Sequence, residues 1–145
     1  MNVDLNAPPN CQFLKYAFSS FGMEKSKAKK ASLSIEFKDF QVHQDNHDQY
    51  LVDFNLRHDN TKVAVHFAIC GEFSFAGGIT EKNAFFAWTN GATILYGIAR
   101  ATVMQITSQS LFPSLLLPTL MMDDLIRKHV AAGQKKSRKK TPSKS

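Results

Sequence analysis

Apolar and polar residues alternate with a period of two through most of the first half of the chain. Through most of the second half they follow a helical period. The cleanest alternation runs from Val63 to Phe75. Val63, Val65, Phe67, Ile69, Phe73 and Phe75 fall on odd positions, with Ala64, His66, Ala68, Cys70, Glu72 and Ser74 between them. Successive side chains of a strand point to opposite faces, so this pattern predicts a strand with one buried face. Gly71 interrupts the odd series and predicts a bend or bulge. Upstream, Tyr50, Val52, Phe54 and Leu56 alternate with Asp53, Asn55 and Arg57, and His58-Asp59-Asn60-Thr61 is turn chemistry. These two strands are expected to form a hairpin.

Leu33, Ile35 and Phe37 define another strand. Its apolar positions move to even numbers at Phe40 and Val42, which predicts a β-bulge near Lys38 and Asp39, followed by a polar turn over Gln44–Asp48. Phe13 to Phe21 predicts a first strand, with Leu14, Tyr16 and Phe18 on one face, after an irregular arm over residues 1–11. Gly22 to Ala31 carries Lys25, Lys27, Lys29 and Lys30 and predicts a solvated connection.

Gly77-Gly78 ends the sheet. Thr80 is placed to cap a helix from Glu81 to about Gln109, with Ile94, Leu95, Ile98, Thr102 and Ile106 on one face and a break or kink at Asn90-Gly91. A proline-containing apolar loop, Leu111 to Pro118, leads to a last helix near Met121 to Ala132, with Gly133 as its C-cap. Strands followed by helices predict an α+β domain over 12–133, with a mainly antiparallel sheet and helices on one face. Residues 134–145 have no apolar periodicity and predict a disordered basic tail.

At 145 residues, 43% hydrophobic and 21% charged, the chain fits one ordinary soluble domain. The net charge of +6 is carried by Lys135, Lys136, Arg138, Lys139, Lys140 and Lys144, so residues 1–133 are formally neutral. Cys11 and Cys70 are too few for a disulfide framework and are expected to stay reduced. Met1 to Asn10 has no apolar segment of the secretory kind. The apolar run Leu111 to Met122 is too short to span a bilayer. A cytoplasmic protein with no stable membrane insertion is expected.

No catalytic constellation is present: there is no nucleophile elbow and no phosphate-binding loop. His43 and His47 with Asp45 and Asp48 flank a polar turn and lack a second ligand pair. No metal site, no cofactor and no enzymatic activity are expected. Phe85, Phe86 and Trp88 form a dense aromatic cluster suited either to a core or subunit interface or to a binding groove. The apolar residues of Leu111–Met122 admit the same two readings, a groove wall or core burial.

Three local patterns carry a resemblance. Gly71-Glu72-Phe73-Ser74-Phe75-Ala76-Gly77 resembles the end of strand four in the SecB family of protein-export chaperones. Leu95-Tyr96-Gly97-Ile98-Ala99-Arg100 resembles the start of its long helix, and Phe112-Pro113-Ser114-Leu115-Leu116-Leu117-Pro118 its helix-connecting loop. All three occur in order over residues 71–127. The resemblance implies a four-stranded antiparallel Greek-key sheet packed on helices, assembly into a homotetramer as a dimer of dimers, and ATP-independent holding of unfolded polypeptides or preproteins in apolar grooves. Carried onto this chain, the groove draws on Phe37, Phe40, Phe86, Trp88, Leu115, Leu116 and Leu117.

Two departures qualify the resemblance. Gly97 stands where many members have proline. His66 stands where export chaperones carry an acidic residue for docking the SecA motor, and Ser19, Ser20 and Gly22 supply no acidic match on strand one, so SecA binding is expected to be weak or absent. Solitary SecB-like proteins, some working beside toxin–antitoxin pairs, are the closer analogy. The alternative reading is a nucleic-acid-associated or other acidic-partner-binding protein acting through the basic tail. Without aromatic interleaving, such binding would be salt-sensitive and sequence-blind, and nucleic acid is not the expected partner.

Overall fold

The computed structural model describes residues 11–140, with side chains through residue 136; residues 1–10 of the expected N-terminal arm and 141–145 of the basic tail lie outside these residues, and Cys11, expected in the arm, begins the first strand. The elements follow in the order β1 (Cys11–Lys25), β2 (Ser32–Phe37), β3 (Gln41–Val42), β4 (Gln49–Asp59), β5 (Val63–Phe75), α1 (Ala84–Ser108) and α2 (Met122–Lys140). Every strand pair is antiparallel, and the sheet order is β1-β5-β4-β2, with β3 also on β4. With β2 and β3 counted as one interrupted strand, this is a Greek key. Three hairpin-connected strands lie side by side, and β1, beside β5, connects to β2 at the far edge by a crossover. The α+β class, the antiparallel sheet and the helices on one face are as the sequence predicts.

The expected β4–β5 hairpin forms, with Leu56 opposite Phe67 and Phe54 opposite Ile69. Opposite β4, Phe37 pairs with Phe54 and Gln41 with Leu51, which leaves one extra residue between β2 and β3. That is the bulge expected near Lys38 and Asp39.

Other local expectations fail for identifiable reasons. β1 runs to Lys25, so Gly22 to Lys25 is strand rather than connection; Gly22 pairs with His66 and Met23 with Val65. Two register shifts, at Phe13/Lys15 and Phe18/Ser20, change the parity of β1. Its core-facing series is therefore Phe13, Tyr16, Phe18, Phe21 and Met23, opposite Phe73, Gly71, Ile69, Phe67 and Val65. Leu14 sits at a bulge and leaves the face expected of it.

Gly71 holds a regular register against both Tyr16 and Val52 and makes no bulge. Its role is proximity. A Cβ there would stand 2.7 Å from Leu95 Cδ2 of α1. Gly91 plays the same part from the helix side, 2.7 Å from Val52 Cγ2, so Asn90-Gly91 lies inside an unbroken helix. Tertiary packing outweighs glycine's low helix propensity at this position.

The sheet ends at Gly77 and Gly78, both at φ 86°, where glycine avoids a steric penalty. Thr80 is not the cap: α1 begins at Ala84 after a turn in which the Thr80 N–H donates to Asn83 Oδ1 at 2.7 Å. The buried face of α1 is Trp88, Gly91, Ala92, Leu95, Ala99, Val103 and Thr107. Ile94, Ile98, Thr102 and Ile106 form a neighbouring half-buried stripe.

Gly133 is not a C-cap either. α2 continues through it to Lys140, so residues 134–140 are helical where an irregular tail is expected. Glutamine, lysine and arginine are good helix formers. Asp123 and Asp124 in the first turn and cations at the far end both suit the helix dipole.

Candidate functional site

The bulge between β2 and β3 turns Phe40 toward the N-terminal half of α1. There it stacks on Trp88 with ring centroids 5.6 Å apart, and Phe37 meets the same indole edge-on at 6.4 Å. Tyr50 of β4 supports Phe40 from beneath at 5.3 Å. α2 closes the cluster. The His129 ring lies edge-on to Trp88 at 5.8 Å and to Phe37 at 5.9 Å. A surface cavity of about 410 Å³ opens over these rings, lined by Asp39, Phe40, Trp88, His129, Val130, Gly133 and Gln134. Phe37 and Trp88 are themselves buried, Phe40 is half-buried, and the indole N–H of Trp88 has no partner among the described residues.

At the other end of α1 the connection to α2 is fastened down rather than loose. The Leu115 N–H donates to Thr107 Oγ1 at 2.9 Å, Arg100 Nε donates to the Leu117 carbonyl at 3.0 Å, and the Tyr96 hydroxyl donates to the Pro118 carbonyl. Burial raises the Tyr96 pKa, against a smaller opposing effect of Arg100. Pinned this way, the segment faces two directions at once. Leu115 and Leu117 are in the core at 3% and 0% exposure, whereas Leu116 is 60% exposed and Leu111 and Met121 also stand in solvent. Two prolines keep the segment out of helix, so its polar backbone depends on these side-chain anchors.

The structure therefore divides the residues proposed from sequence. Phe37, Phe40 and Trp88 come together in one aromatic cluster. Leu115 and Leu117 belong to the core, while Leu116 is presented to solvent. Phe86 is 59% exposed but lies against Phe75, apart from the Trp88 ring. Phe85 packs beneath Arg127, whose guanidinium is 5.1 Å from the ring centroid.

Sequence reasoning missed His129 and Val130. Their signal is the stripe Met122, Leu125, Ile126, His129 and Val130 within the predicted last helix, whose periodicity does not say which element it packs on.

The histidine-rich turn has a structural part to play. The Asp45 N–H donates to His43 Nδ1 at 3.2 Å, and the His47 carbonyl accepts the Ile79 N–H at 2.8 Å. No group of three or more His, Cys, Asp or Glu side chains that could hold a metal ion occurs among the described residues. On the helix-free sheet face His66 lies over Gly22 so closely that a Cβ there would stand 2.5 Å from the imidazole. Among the described residues no helix is long and apolar enough to cross a membrane.

No protein-family model and no curated protein matches the chain by sequence. Solved structures do. One is the Mycobacterium tuberculosis Rv1957 SecB-like chaperone in complex with a ChAD peptide from the Rv1956 HigA1 antitoxin. It is 19% identical with a TM-score of 0.55, and the match covers 77% of this chain and 91% of that one. Another is a Streptococcus agalactiae protein of unknown function, 12% identical with a TM-score of 0.55, over 78% of this chain and 100% of that one. The antiparallel sheet packed against two helices matches a SecB-like fold.

Proposed function

We propose that the protein is an ATP-independent holdase that binds unfolded or non-native polypeptide along α1, between the aromatic cluster and the α1–α2 connection. The observation that carries this reading is the presentation of Leu111, Leu116 and Met121 by a segment whose backbone is fixed to Tyr96, Arg100 and Thr107. A collapsed loop would bury such residues. A fixed one keeps them available for apolar contact.

The dimensions suit an extended chain. Trp88 and Thr107 are separated by roughly 28 Å along α1 at 1.5 Å per residue, which matches about eight or nine extended residues. Burying one leucine or aromatic side chain is worth roughly 1.5–3 kcal/mol. Binding of useful strength therefore requires several shallow contacts, and their lack of direction lets varied clients fit. The solved SecB-like neighbour with an antitoxin peptide bound is consistent with polypeptide clients. Assembly into a homotetramer would multiply the contacts available to one client. SecA docking is proposed to be weak, because His66 and Gly22 offer no carboxylate on the exposed sheet face for a basic partner.

Light scattering of a chemically unfolded client diluted into buffer tests the proposal. The protein should suppress aggregation equally with and without nucleotide, and unimpeded aggregation at a several-fold excess of protein would contradict it.

A further inference from the structure

β1 and β5 pair from Cys11 opposite Phe75 at one end of the sheet to Lys25 opposite Val63 at the other. At the second end two loops meet. The Ser26 N–H, just after β1, donates to the Lys62 carbonyl in the β4–β5 turn at 3.2 Å, and the Ala28 N–H donates to Ser26 Oγ at 3.1 Å. This junction gathers Lys25, Lys27, Lys29, Lys30 and Lys62, all exposed. The acids beside them are already engaged: Glu24 and Asp59 both pair with Arg57, each at 3.2 Å. Among the described residues these five lysines form no ion pair. A cavity of about 270 Å³ opens among Glu24, Lys25, Ser26, Lys27, Ala28, Arg57, Asp59 and Ala64.

The direction of α1 links this end to the groove. Gly91 packs on Val52 and Phe73, and Leu95, one turn later, packs on Gly71. The helix therefore runs from the Phe75 end of the sheet toward the Val63 end, which carries the lysines. A polypeptide lying along α1 from the Trp88 cluster to the Leu116 side heads toward the lysine junction.

We infer that the lysine junction selects clients by charge: an acidic segment flanking the apolar stretch held along α1 is drawn to Lys25, Lys27, Lys29, Lys30 and Lys62. The inference rests on the proposed groove. Lysine ammoniums on flexible stems suit a run of carboxylates of irregular spacing better than one fixed ligand geometry. The junction's own residues offer no aromatic ring on which a nucleic-acid base could stack, so an acidic polypeptide is favoured over a polynucleotide.

The test uses the full chain and fluorescent peptides that share one apolar stretch and differ in a glutamate or a glutamine flank. The wild type should bind the glutamate-flanked peptide roughly tenfold tighter at low salt, as several exposed charge pairs acting together allow. The preference should vanish near 1 M salt, where the screening length is about 3 Å. It should also vanish in the Lys27→Glu, Lys29→Glu, Lys30→Glu triple variant, with the affinity for the glutamine-flanked peptide unchanged. Equal affinity of the wild type for the two peptides overturns this inference alone. Failure to bind either peptide overturns the groove reading and this inference with it. A loss of glutamine-flanked binding in the triple variant, or tighter binding of a single-stranded oligonucleotide at the same lysines, also overturns it.

Discussion

At Gly71 and Gly91 the helix and the sheet approach so closely that a side chain has no room, while Gly97, also in α1, has nothing within 4 Å of the position its Cβ would take. Replacement by alanine should therefore have opposite effects at sites of the same type. Gly71→Ala forces Leu95 and the Phe73 ring to shift and should cost about 1–3 kcal/mol of stability, as overpacking does. Gly97→Ala meets no obstacle and should gain up to about 1 kcal/mol from helix propensity. Urea unfolding of both variants beside the wild type checks the sign of each effect. The same residues show what sequence can convey. Gly71 is visible as an interruption in the odd-numbered apolar series, but whether it serves a bulge or a close approach depends on Leu95, a distant residue. Leu14, Tyr16 and Phe18 look like one face because the bulges of β1 leave no mark in the alternation itself. Leu115 and Leu117 look equivalent to Leu116 because a loop without periodicity does not announce which side chains turn inward.

At the scale of elements, hydroxyl contacts join pieces far apart in sequence. The Tyr96 hydroxyl holds the α1–α2 connection, while Tyr50 on β4 meets Cys11 Sγ at 2.8 Å at the start of β1. Burial is the main cause of a raised phenol pKa at both sites, and at Tyr50 the Cys11 contact raises it further. A phenol with a folded pKa above its unfolded value of 10.0 binds its proton more tightly in the folded state. Its stabilising contribution is complete below pH 10 and is lost as pH rises beyond it. Denaturation midpoints should thus be insensitive to these tyrosines near neutral pH and fall above pH 10, and Tyr96→Phe should flatten that fall. An alkaline limb equally steep in the variant would contradict the assignment. The strands and the two helices were legible from periodicity because an amphipathic element repeats its signal. The ends of α1 and α2 were not, because Thr80 and Gly133 have the right chemistry for caps, whereas the observed ends depend on the Asn83 turn and on the propensity of a lysine-rich segment.

The whole molecule leaves apolar surface that its own fold does not cover. Phe13, Leu14 and Tyr16 on the edge strand β1 are exposed, as are Phe86 and Met104 on α1, and the stripe Ile94, Ile98 and Ile106 is only half-buried. Edge strands with exposed aromatic residues invite pairing with another chain, and an isologous contact with a second copy would protect them. Sedimentation at micromolar concentration should show a stable oligomer, with Tyr16→Lys shifting it toward smaller species; a wild-type monomer at that concentration would contradict self-assembly.

The central claim is that this fold holds unfolded chains on apolar side chains presented by a pinned loop, and Leu115 and Leu116 separate that claim from simple core burial. Leu116 is exposed, whereas its neighbour Leu115 is in the core. Leu116→Asp should keep the circular dichroism spectrum and the unfolding midpoint of the wild type and lose most suppression of client aggregation. Leu115→Asp should unfold the protein, since it buries a charge among apolar neighbours. The decisive measurement is aggregation suppression by the folded Leu116→Asp variant. Suppression reduced several-fold is the predicted result, and suppression equal to that of the wild type would contradict the account.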